Sequence, residues 1–333
     1  MRVLLISNYS NSGGGISVQV RNILSHLQSD GIESAILSTK GSILLRLSAP
    51  FILMRKGKGY DVFHIHACSN RGFFPAVVGI IIGKLLKKKI VLTYHGGDAD
   101  TFFAKHPKFV KFFLSRVDTN VVLSGFIAKV FAKYDLPYVV IPNGIDVIPE
   151  RFHVRNSVAP RFICIRSHTE IYNIGCILDA YSIVSSFFPE SSLTLLGDGP
   201  LHEELKKRSI GMGLRNVNFV GCVDNSKIYD YLDKADIMLS SPTIDNMPIS
   251  LLEGFNSGLL VISSNVGGVP YMIEDGKNGL LFESGNSKEL ADIILAVLSD
   301  YPAYLRMVNS AYDSLQAYSW ENVWHKLKAV YES

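Results

Sequence analysis

The segment IMLSSPTIDNMPISLLEGFNSGLLVISSNVGGVP, residues 237–270, contains one complete strand–helix–strand unit. The short apolar runs Ile237–Leu239 and Leu259–Ile262 predict two buried strands, and the segment Ile249–Asn256 between them has the spacing of a helix. Strands that are connected through a helix lie parallel in a sheet. The segment therefore predicts an α/β protein with a parallel sheet.

The same alternation of short apolar runs and helical segments extends over the whole chain. The other predicted strands are Val3–Ile6, Ser34–Leu37, Val62–Ile65, Ile90–Thr93, Asn120–Leu123, Tyr138–Ile141, Phe162–Ile165, Ser192–Leu196 and Val217–Val220. The other predicted helices are Ser17–Gln28, Phe74–Leu86, Lys108–Leu114, Gly125–Lys133, Asn173–Ser186, Leu201–Met212, Ser226–Lys234, Lys288–Leu298 and Ala303–Tyr318. We expect doubly wound sheets, which bind ligands outside the carboxyl ends of their strands.

The length of the chain indicates two domains. Its 333 residues, 47% of them hydrophobic, would overfill one core, whereas two cores of roughly 150 residues each are ordinary. Pro142, Pro149 and Pro160 interrupt a stretch without periodicity, so we place an interdomain linker at 142–160. The expected fold is therefore α/β, with two Rossmann-like doubly wound domains that face a cleft.

The composition excludes disorder, collagen and a disulfide scaffold. The cysteines, Cys68, Cys164, Cys176 and Cys222, form no C-x-x-C pair and are expected to be buried thiols in a reducing cytoplasm. The longest apolar stretch, beginning at Phe73, falls short of the roughly 18 residues of a membrane-spanning helix. We therefore expect a cytoplasmic protein that does not cross a membrane, and we expect no nucleic-acid partner.

The small net charge of +3 hides a difference between the two halves. Residues 1–150 hold 18 Lys and Arg against 9 Asp and Glu, whereas residues 151–333 hold 15 against 21. The basic, apolar stretch Phe73–Lys89, together with Arg55, Lys56 and Lys58, could dock on an anionic membrane surface. The alternative is a core helix followed by a solvated basic turn.

Glycines follow the first predicted strand. The stretch Asn8–Gly15 ends in Gly13, Gly14 and Gly15 and leads directly into a helix. Glycine lets an oxyanion or a sugar approach the backbone, and the start of a helix supplies N–H donors. The alternative is a flexible turn.

Three histidines lie on or directly after strands of the first half. His95 and the two glycines after it follow the fourth strand, where a ligand hydroxyl or phosphate could bind. His64 and His66 share one face of the third strand, but no third metal ligand is evident nearby. We interpret these two as core residues.

Charged residues follow the strands of the second half. Arg166 could bind a diphosphate through its planar guanidinium, or form a salt bridge with a surface carboxylate. Gly197, Asp198 and Gly199 make a tight turn that could hold a flat base, or could simply connect strand and helix. Asp245 and Glu253 are eight residues apart, and a carboxylate suits a vicinal diol because it can accept from both hydroxyls.

In this order and spacing, the chain resembles a retaining glycosyltransferase of the GT-B type, in glycosyltransferase family four. The resemblance covers essentially the whole chain. It rests on Gly14-Gly15, His95-Gly96, Ser124, Pro142-Asn143-Gly144-Ile145-Asp146, Arg166, Gly197-Asp198-Gly199-Pro200, Asp245 with Glu253 and Gly258, Val266-Gly267-Gly268-Val269-Pro270, and Ser319-Trp320-Glu321.

The resemblance implies a division of labour between the domains. Residues 160–318 would bind a nucleotide-sugar donor, residues 1–148 would bind the acceptor, and a final helix in 319–333 would cross back to the first domain. The reaction would take place in the cleft.

The resemblance also implies roles for single residues. His95, Arg166 and Asp245 would be catalytic: His95 and Asp245 would contact the donor sugar, and Arg166 would hold the diphosphate. Glu253 would hold the ribose hydroxyls. The remaining donor contacts would come from Gly14, Gly15, Gly197, Asp198, Gly199, and the backbone of Asn246, Met247, Pro248 and Ile249.

The chain departs from the family pattern at two positions. Asp245 replaces the usual Glu of the E-x7-E motif and is one methylene shorter. The Lys that usually joins the Arg at the diphosphate is missing, and Tyr172 or Asn173 stands in its place. One cation fewer would weaken stabilisation of the leaving group unless another group compensates.

The resemblance leads to a specific expectation for the reaction. The enzyme would transfer a sugar from a nucleotide sugar, with UDP as first choice and GDP as second, and would retain the anomeric configuration. No metal or other cofactor is expected. The acceptor would be a saccharide, lipid-linked, at the inner face of a bacterial membrane, used for surface polysaccharide or lipopolysaccharide.

Two other functions stay open. A nucleotide-sugar epimerase or hydrolase of the same fold would need no acceptor. A catalytically inactive partner subunit would explain the missing Lys.

Overall fold

The computed structural model describes residues 1–10, 14–155 and 159–333, which divide into two compact units. Unit 1 contains Met1–Gly144 and Trp320–Ser333, and unit 2 contains Ile145–Ser319. Most of the segment that we interpreted as a linker thus belongs to unit 2. Asn256, for example, accepts a hydrogen bond from the N–H of Ile148 at 3.2 Å.

In the described residues, unit 1 is built around a six-stranded parallel sheet with the order β2-β1-β3-β4-β5-β6. Its strands are β1 (Arg2–Ser7), β2 (Glu33–Ser38), β3 (Val62–Ala67), β4 (Lys89–Tyr94), β5 (Thr119–Val122) and β6 (Val139–Val140). The helices between them are α1 (Gly15–Ser29), α2 (Ile43–Lys56), α3 (Phe74–Leu85), α4 (Ala99–Lys105), α5 (Pro107–Leu114) and α6 (Gly125–Lys133).

Unit 2 repeats this plan with a second parallel sheet, ordered β12-β11-β10-β7-β8-β9 in the described part of the chain. Its strands are β7 (Arg161–Ile165), β8 (Ser192–Leu196), β9 (Val217–Gly221), β10 (Ile237–Ser240), β11 (Leu260–Ser264) and β12 (Leu280–Phe282). Its helices are α7 (Ile174–Phe187), α8 (His202–Gly211), α9 (Ile228–Leu232), α10 (Ile249–Asn256), α11 (Ser287–Ser299) and α12 (Leu305–Ser314).

The last helix, α13 (Trp320–Glu332), packs on unit 1. Its aromatic side chains lie in the same buried cluster as Val3 and Leu5 of β1. The indole Nε1 of Trp324 donates to the carboxylate of Asp30 at 3.2 Å, and Lys328 forms an ion pair with the same carboxylate at 2.7 Å. Burial of these large aromatic rings stabilises the packing of the helix.

The strands of both sheets are continuous apolar runs because helices cover both faces of each parallel sheet, so the side chains on both sides of a strand are buried. In each sheet the strand order reverses direction at one place, between β1 and β3 in unit 1 and between β7 and β10 in unit 2. Ligands of doubly wound folds bind at this switch point, outside the carboxyl ends of the strands.

The predicted α/β class and the two doubly wound sheets are confirmed. Among the strands and α-helices of the described residues, α2, α4 and β12 escaped prediction. Pro50 lies inside α2, and proline usually ends a helix. No helix in the described residues is both long enough and apolar enough to span a membrane.

Candidate functional site

Arg166 directly follows β7, at the switch point of unit 2, and its side chain is only 9% exposed. Its guanidinium lies 5.1 Å from the centre of the Tyr172 ring, and its Nε and Nη2 donate to the hydroxyl of Ser240 at 3.4 and 3.3 Å. The same Nη2 lies 3.3 Å from Oδ2 of Asp245. Arg166 is thus paired with a carboxylate, and this carboxylate is the predicted site residue itself.

Asp245 lies in the loop after β10, the strand next to β7. Its Oδ1 accepts a hydrogen bond from the N–H of Asn246 at 2.8 Å. Its Oδ2 faces Arg166 without hydrogen-bond geometry, and among the described residues this buried oxygen has no hydrogen-bond donor. Burial raises the pKa of Asp245, and Arg166 and the Asn246 N–H oppose that rise. A ligand hydroxyl that donated to Oδ2 would remove a cost of about 1–3 kcal/mol.

Glu253 lies on α10, eight residues after Asp245. Burial raises the pKa of its carboxyl to about 7, although Arg166 lowers it. The group therefore changes charge close to neutral pH. Carboxyl groups with raised pKa values are concentrated at functional sites.

Two glycines allow the loops of Arg166 and Asp245 to pass close to neighbouring backbone. Gly197 and Gly267 have φ values of +129° and +53°. A Cβ at Gly197 would overlap the carbonyl of Arg166, and one at Gly267 would overlap the carbonyl of Asp245. The N–H of Gly268 donates to that Asp245 carbonyl at 2.9 Å. These glycines therefore position the backbone of the two charged residues.

The turn formed by residues 197–199 is also tied to the loop after β7. The N–H of His168 donates to the carbonyl of Asp198 at 3.0 Å, and a Cβ at Gly199 would lie 2.5 Å from the carbonyl of His168. The Asp198 side chain is 58% exposed and lies 3.5 Å from Nδ1 of His202. The rings of His168 and His202 are stacked. The turn thus has a structural role in connecting β8 to α8, and this role is compatible with binding a nucleotide base.

The loop before α10 is held by side chains that the sequence did not single out. The hydroxyl of Ser241 donates to the carbonyls of Tyr172 and Asn173 at 3.0 and 2.9 Å.

Pro248 precedes Ile249, the first residue of α10. Proline has no N–H, so it cannot donate to a sugar through its backbone.

In unit 1, His95 follows β4, and its Nε2 lies 2.9 Å from Nδ1 of His66. Burial lowers the pKa of His95 to about 4, so its ring is neutral near pH 7. His64 bonds to the hydroxyl of Tyr331 at 2.7 Å and to that of Thr93 at 2.8 Å. Both nitrogens of His64 therefore have partners within the core of unit 1. The described residues contain no group of three or more His, Cys, Asp or Glu that could hold a metal ion.

The glycine-rich turn of unit 1 is described only in part. Residues 11–13, including Gly13, lie outside the described residues. Gly14 has a φ of +99° and directly precedes α1, whose first residue is Gly15. Both glycines are exposed at the carboxyl end of β1.

The structure brings the predicted residues together in two groups. Arg166, Asp245 and Glu253 gather at the switch point of unit 2, and His95 and the glycines before α1 lie at the corresponding edge of unit 1. Sequence reasoning missed Ser240. Its position directly after the apolar run Ile237–Leu239 was the available signal.

Two family models match the chain. Residues 39–148 match the model described as Glycosyltransferase Family 4, and residues 151–314 match the model described as Glycosyl transferases group 1. The chain belongs to these glycosyltransferases. The predicted family and the predicted enzyme class are thereby confirmed.

Relatives of this glycosyltransferase come from several organisms. An uncharacterized glycosyltransferase of Methanocaldococcus jannaschii is 22% identical, with 100% of this chain and 98% of the relative covered. The amylovoran biosynthesis glycosyltransferase AmsK of Erwinia amylovora is 26% identical over 75% of this chain and 65% of its own.

Solved structures confirm the GT-B fold of this glycosyltransferase. The Anabaena protein HepE, in complex with UDP and glucose, is similar with a TM-score of 0.82 and 18% identity, over 100% of both chains. The sucrose-phosphate synthase of Thermosynechococcus elongatus gives a TM-score of 0.84 and 17% identity, over 100% of this chain and 98% of that one.

Proposed function

We propose that this glycosyltransferase transfers a sugar from a nucleoside diphosphate sugar, bound by unit 2, to a hydroxyl of a saccharide. The transfer retains the anomeric configuration and needs no metal. UDP is the first choice of nucleotide and GDP the second. The observation that carries the proposal is the grouping of Arg166, Asp245 and Glu253 at the switch point of unit 2. The UDP complexes of HepE, a protein of the same fold, support UDP as first choice.

Arg166 would stabilise the leaving diphosphate. Cleavage of the bond between the anomeric carbon and the phosphate leaves negative charge on the diphosphate, and a positioned cation lowers the cost of that charge. The carboxylate of Asp245 already pairs with the guanidinium of Arg166. A bound diphosphate would compete for the guanidinium, and a donor sugar hydroxyl would then satisfy the freed carboxylate.

Tyr172 would partly compensate for the missing Lys. Its ring lies against the guanidinium of Arg166, at 5.1 Å. A cation–π contact of this kind contributes about 0.5–2 kcal/mol and fixes the plane of the guanidinium. A fixed plane favours bidentate contact with phosphate oxygens.

Glu253 and His95 would recognise hydroxyl groups. The ionised Glu253 carboxylate can accept from both hydroxyls of a ribose, and its raised pKa makes that binding depend on pH near neutrality. The neutral ring of His95 has one donor and one acceptor nitrogen, and both types of group suit a sugar hydroxyl.

The acceptor is proposed to be a lipid-linked saccharide at the inner face of a bacterial membrane, with the enzyme bound peripherally. The amylovoran function in the name of AmsK supports a polysaccharide product. The lysines between the end of α3 and the start of β4 are only in part available to lipid, because Lys84 pairs with Asp118 at 2.8 Å and Lys89 donates to the carbonyl of Tyr331 at 3.1 Å.

A transfer assay tests the proposal. The protein is incubated with a UDP-sugar, a saccharide acceptor and EDTA, and the anomeric configuration of the product is read by proton NMR. We expect an acceptor-dependent product with the configuration of the donor. Inversion would exclude retention, and loss of transfer in EDTA would exclude the metal-independent reaction. Equal turnover without acceptor would favour the hydrolase or epimerase.

A further inference from the structure

Unit 1 contains a cavity of about 500 Å³ that the proposed donor site does not use. Its apolar wall is formed by Phe73, Phe74, Val77, Phe102 and Phe109, from α3, α4, α5 and the turn that precedes α3. The size falls within the usual range of small-molecule sites, and a mostly apolar wall with a few polar groups is typical of them.

The polar part of the cavity is cationic. Arg46 of α2, Arg71 of the turn before α3, and His106 line it, and no Asp or Glu is among the described residues that do so. The Nε of Arg46 is buried and has no hydrogen-bond partner in the described part of the chain. A buried guanidinium N–H without an acceptor is costly, and an anionic ligand oxygen on the cavity side of the Arg46 guanidinium would offset part of that cost.

The cavity is adjacent to the predicted catalytic edge of unit 1. Asn70, which also lines it, follows β3, and its amide donates to the carboxylate of Asp98 at 2.9 Å. Asp98 stands three residues after His95 at the end of β4. A ligand in the cavity would therefore place one end beside the edge where His95 lies.

The helices around the cavity also expose large apolar side chains. Leu47 and Phe51 of α2 are 65% and 78% exposed, and Phe109 and Phe112 of α5 are 45% and 51% exposed. Exposed apolar side chains grouped on neighbouring elements mark surfaces that bind apolar partners. An apolar chain longer than the cavity could continue over these side chains.

We propose that this cavity binds the phosphate-bearing end of a lipid, with the phosphate on Arg46 and Arg71 and the first part of the apolar chain against the phenylalanines. The inference rests on the proposed function and assigns the lipid phosphate of the acceptor to a defined site. A neutral saccharide would leave the two guanidinium groups without an anion. Inorganic phosphate would leave the apolar wall uncovered.

Binding of farnesyl monophosphate, a short water-soluble lipid phosphate, tests the inference with the full chain. Farnesol and inorganic phosphate serve as the chain-only and phosphate-only probes. We expect farnesyl monophosphate to bind at least about tenfold more tightly than either. Equal binding of farnesol would overturn the inference in favour of an apolar groove, and equal binding of inorganic phosphate would reduce it to an anion site.

Three variants locate the binding. Replacing Arg46 and Arg71 together by Gln is expected to weaken farnesyl monophosphate at least about tenfold and to leave farnesol unchanged. Val77→Trp, which fills the cavity, is expected to weaken both. Arg21→Gln removes an exposed arginine of α1, outside the cavity, and serves as the matched control. Unchanged binding in the double variant and in Val77→Trp would place the lipid elsewhere and reject the site.

A UDP-sugar titration on the same preparations separates this inference from the proposed function. We expect UDP-sugar affinity to be unchanged in all three variants. If UDP-sugar binds and farnesyl monophosphate does not, the inference fails while the proposed function stands. If farnesyl monophosphate binds at the cavity and no nucleotide sugar binds, the donor assignment fails while the lipid phosphate site stands.

Discussion

Replacement of Glu253 by Gln tests the burial of this carboxyl at the proposed donor site. In the folded protein the pKa of Glu253 is about 7, against an ordinary value of 4.5. A raised carboxyl pKa means that stability is fully present below the ordinary value and is lost as the pH rises through the folded one. The difference corresponds to about 3 kcal/mol at pH 8 and less than about 1 kcal/mol at pH 5. Glu253→Gln removes this ionisation.

The assay is thermal unfolding of the ligand-free protein at pH 5 and pH 8. At pH 8, Glu253→Gln should gain this free energy of unfolding, which for a unit of this size corresponds to a rise of roughly 5–10 °C in the unfolding midpoint of unit 2. The gain at pH 5 should be small. Glu190→Gln, which replaces an exposed carboxyl of the same unit, is the control and should show no such difference. An equal effect of Glu253→Gln at both pH values would refute a buried, ionisable Glu253.

Three further predictions follow from the site and the cores. Arg166→Gln should lower kcat/KM for transfer by roughly 10²–10³ in initial-rate assays, because it removes the cation at the leaving group; an effect below tenfold would contradict its role. Gly267→Ala should lower the unfolding midpoint of unit 2 far more than Gly276→Ala, since both glycines have positive φ but only at Gly267 would a Cβ overlap backbone; equal shifts would contradict the packing at Asp245. Trp320→Ala should destabilise unit 1 by about 3–5 kcal/mol in denaturant unfolding, because this ring is 4% exposed; a loss below about 1 kcal/mol would show that α13 contributes little.

The sequence predicted most of the fold because its strands are short, continuous apolar runs between polar turns. The helix predicted in the strand–helix–strand segment 237–270, Ile249–Asn256, coincides with α10. The segment that forms α2 was missed because Pro50 interrupts its pattern, and α3 packs against this helix despite the proline. β12 was missed because a strand of three residues carries too little pattern.

The site was only partly predictable. Their places at strand ends predicted Arg166 and Asp245 as candidate site residues, but the sequence did not show that the two form an ion pair with each other. Such pairing depends on β7 and β10 being neighbours in the sheet, which strand order alone decides. The contact between His66 and His95 could not be predicted either, because the two residues are 29 positions apart in sequence and meet only through the pairing of β3 with β4.

The cavity beside Asn70 was not predicted for a related reason. Its wall comes from elements that are separated in sequence, including α2, which pattern reasoning missed. Arg46 has no neighbour in sequence that marks it as a ligand-binding residue. Only the structure shows that Arg46 lines an apolar cavity and that its buried Nε has no acceptor among the described residues.

Calorimetric titration of the protein with UDP-, GDP-, ADP- and CMP-sugars, with and without EDTA, tests the proposed donor site most directly, with Glu253→Ala alongside. We expect one nucleotide to bind selectively, with UDP as first choice, with the same affinity in EDTA and with a loss of at least about tenfold in the variant. If no nucleotide sugar binds, or if binding is the same in Glu253→Ala, the donor site is not the group formed by Arg166, Asp245 and Glu253.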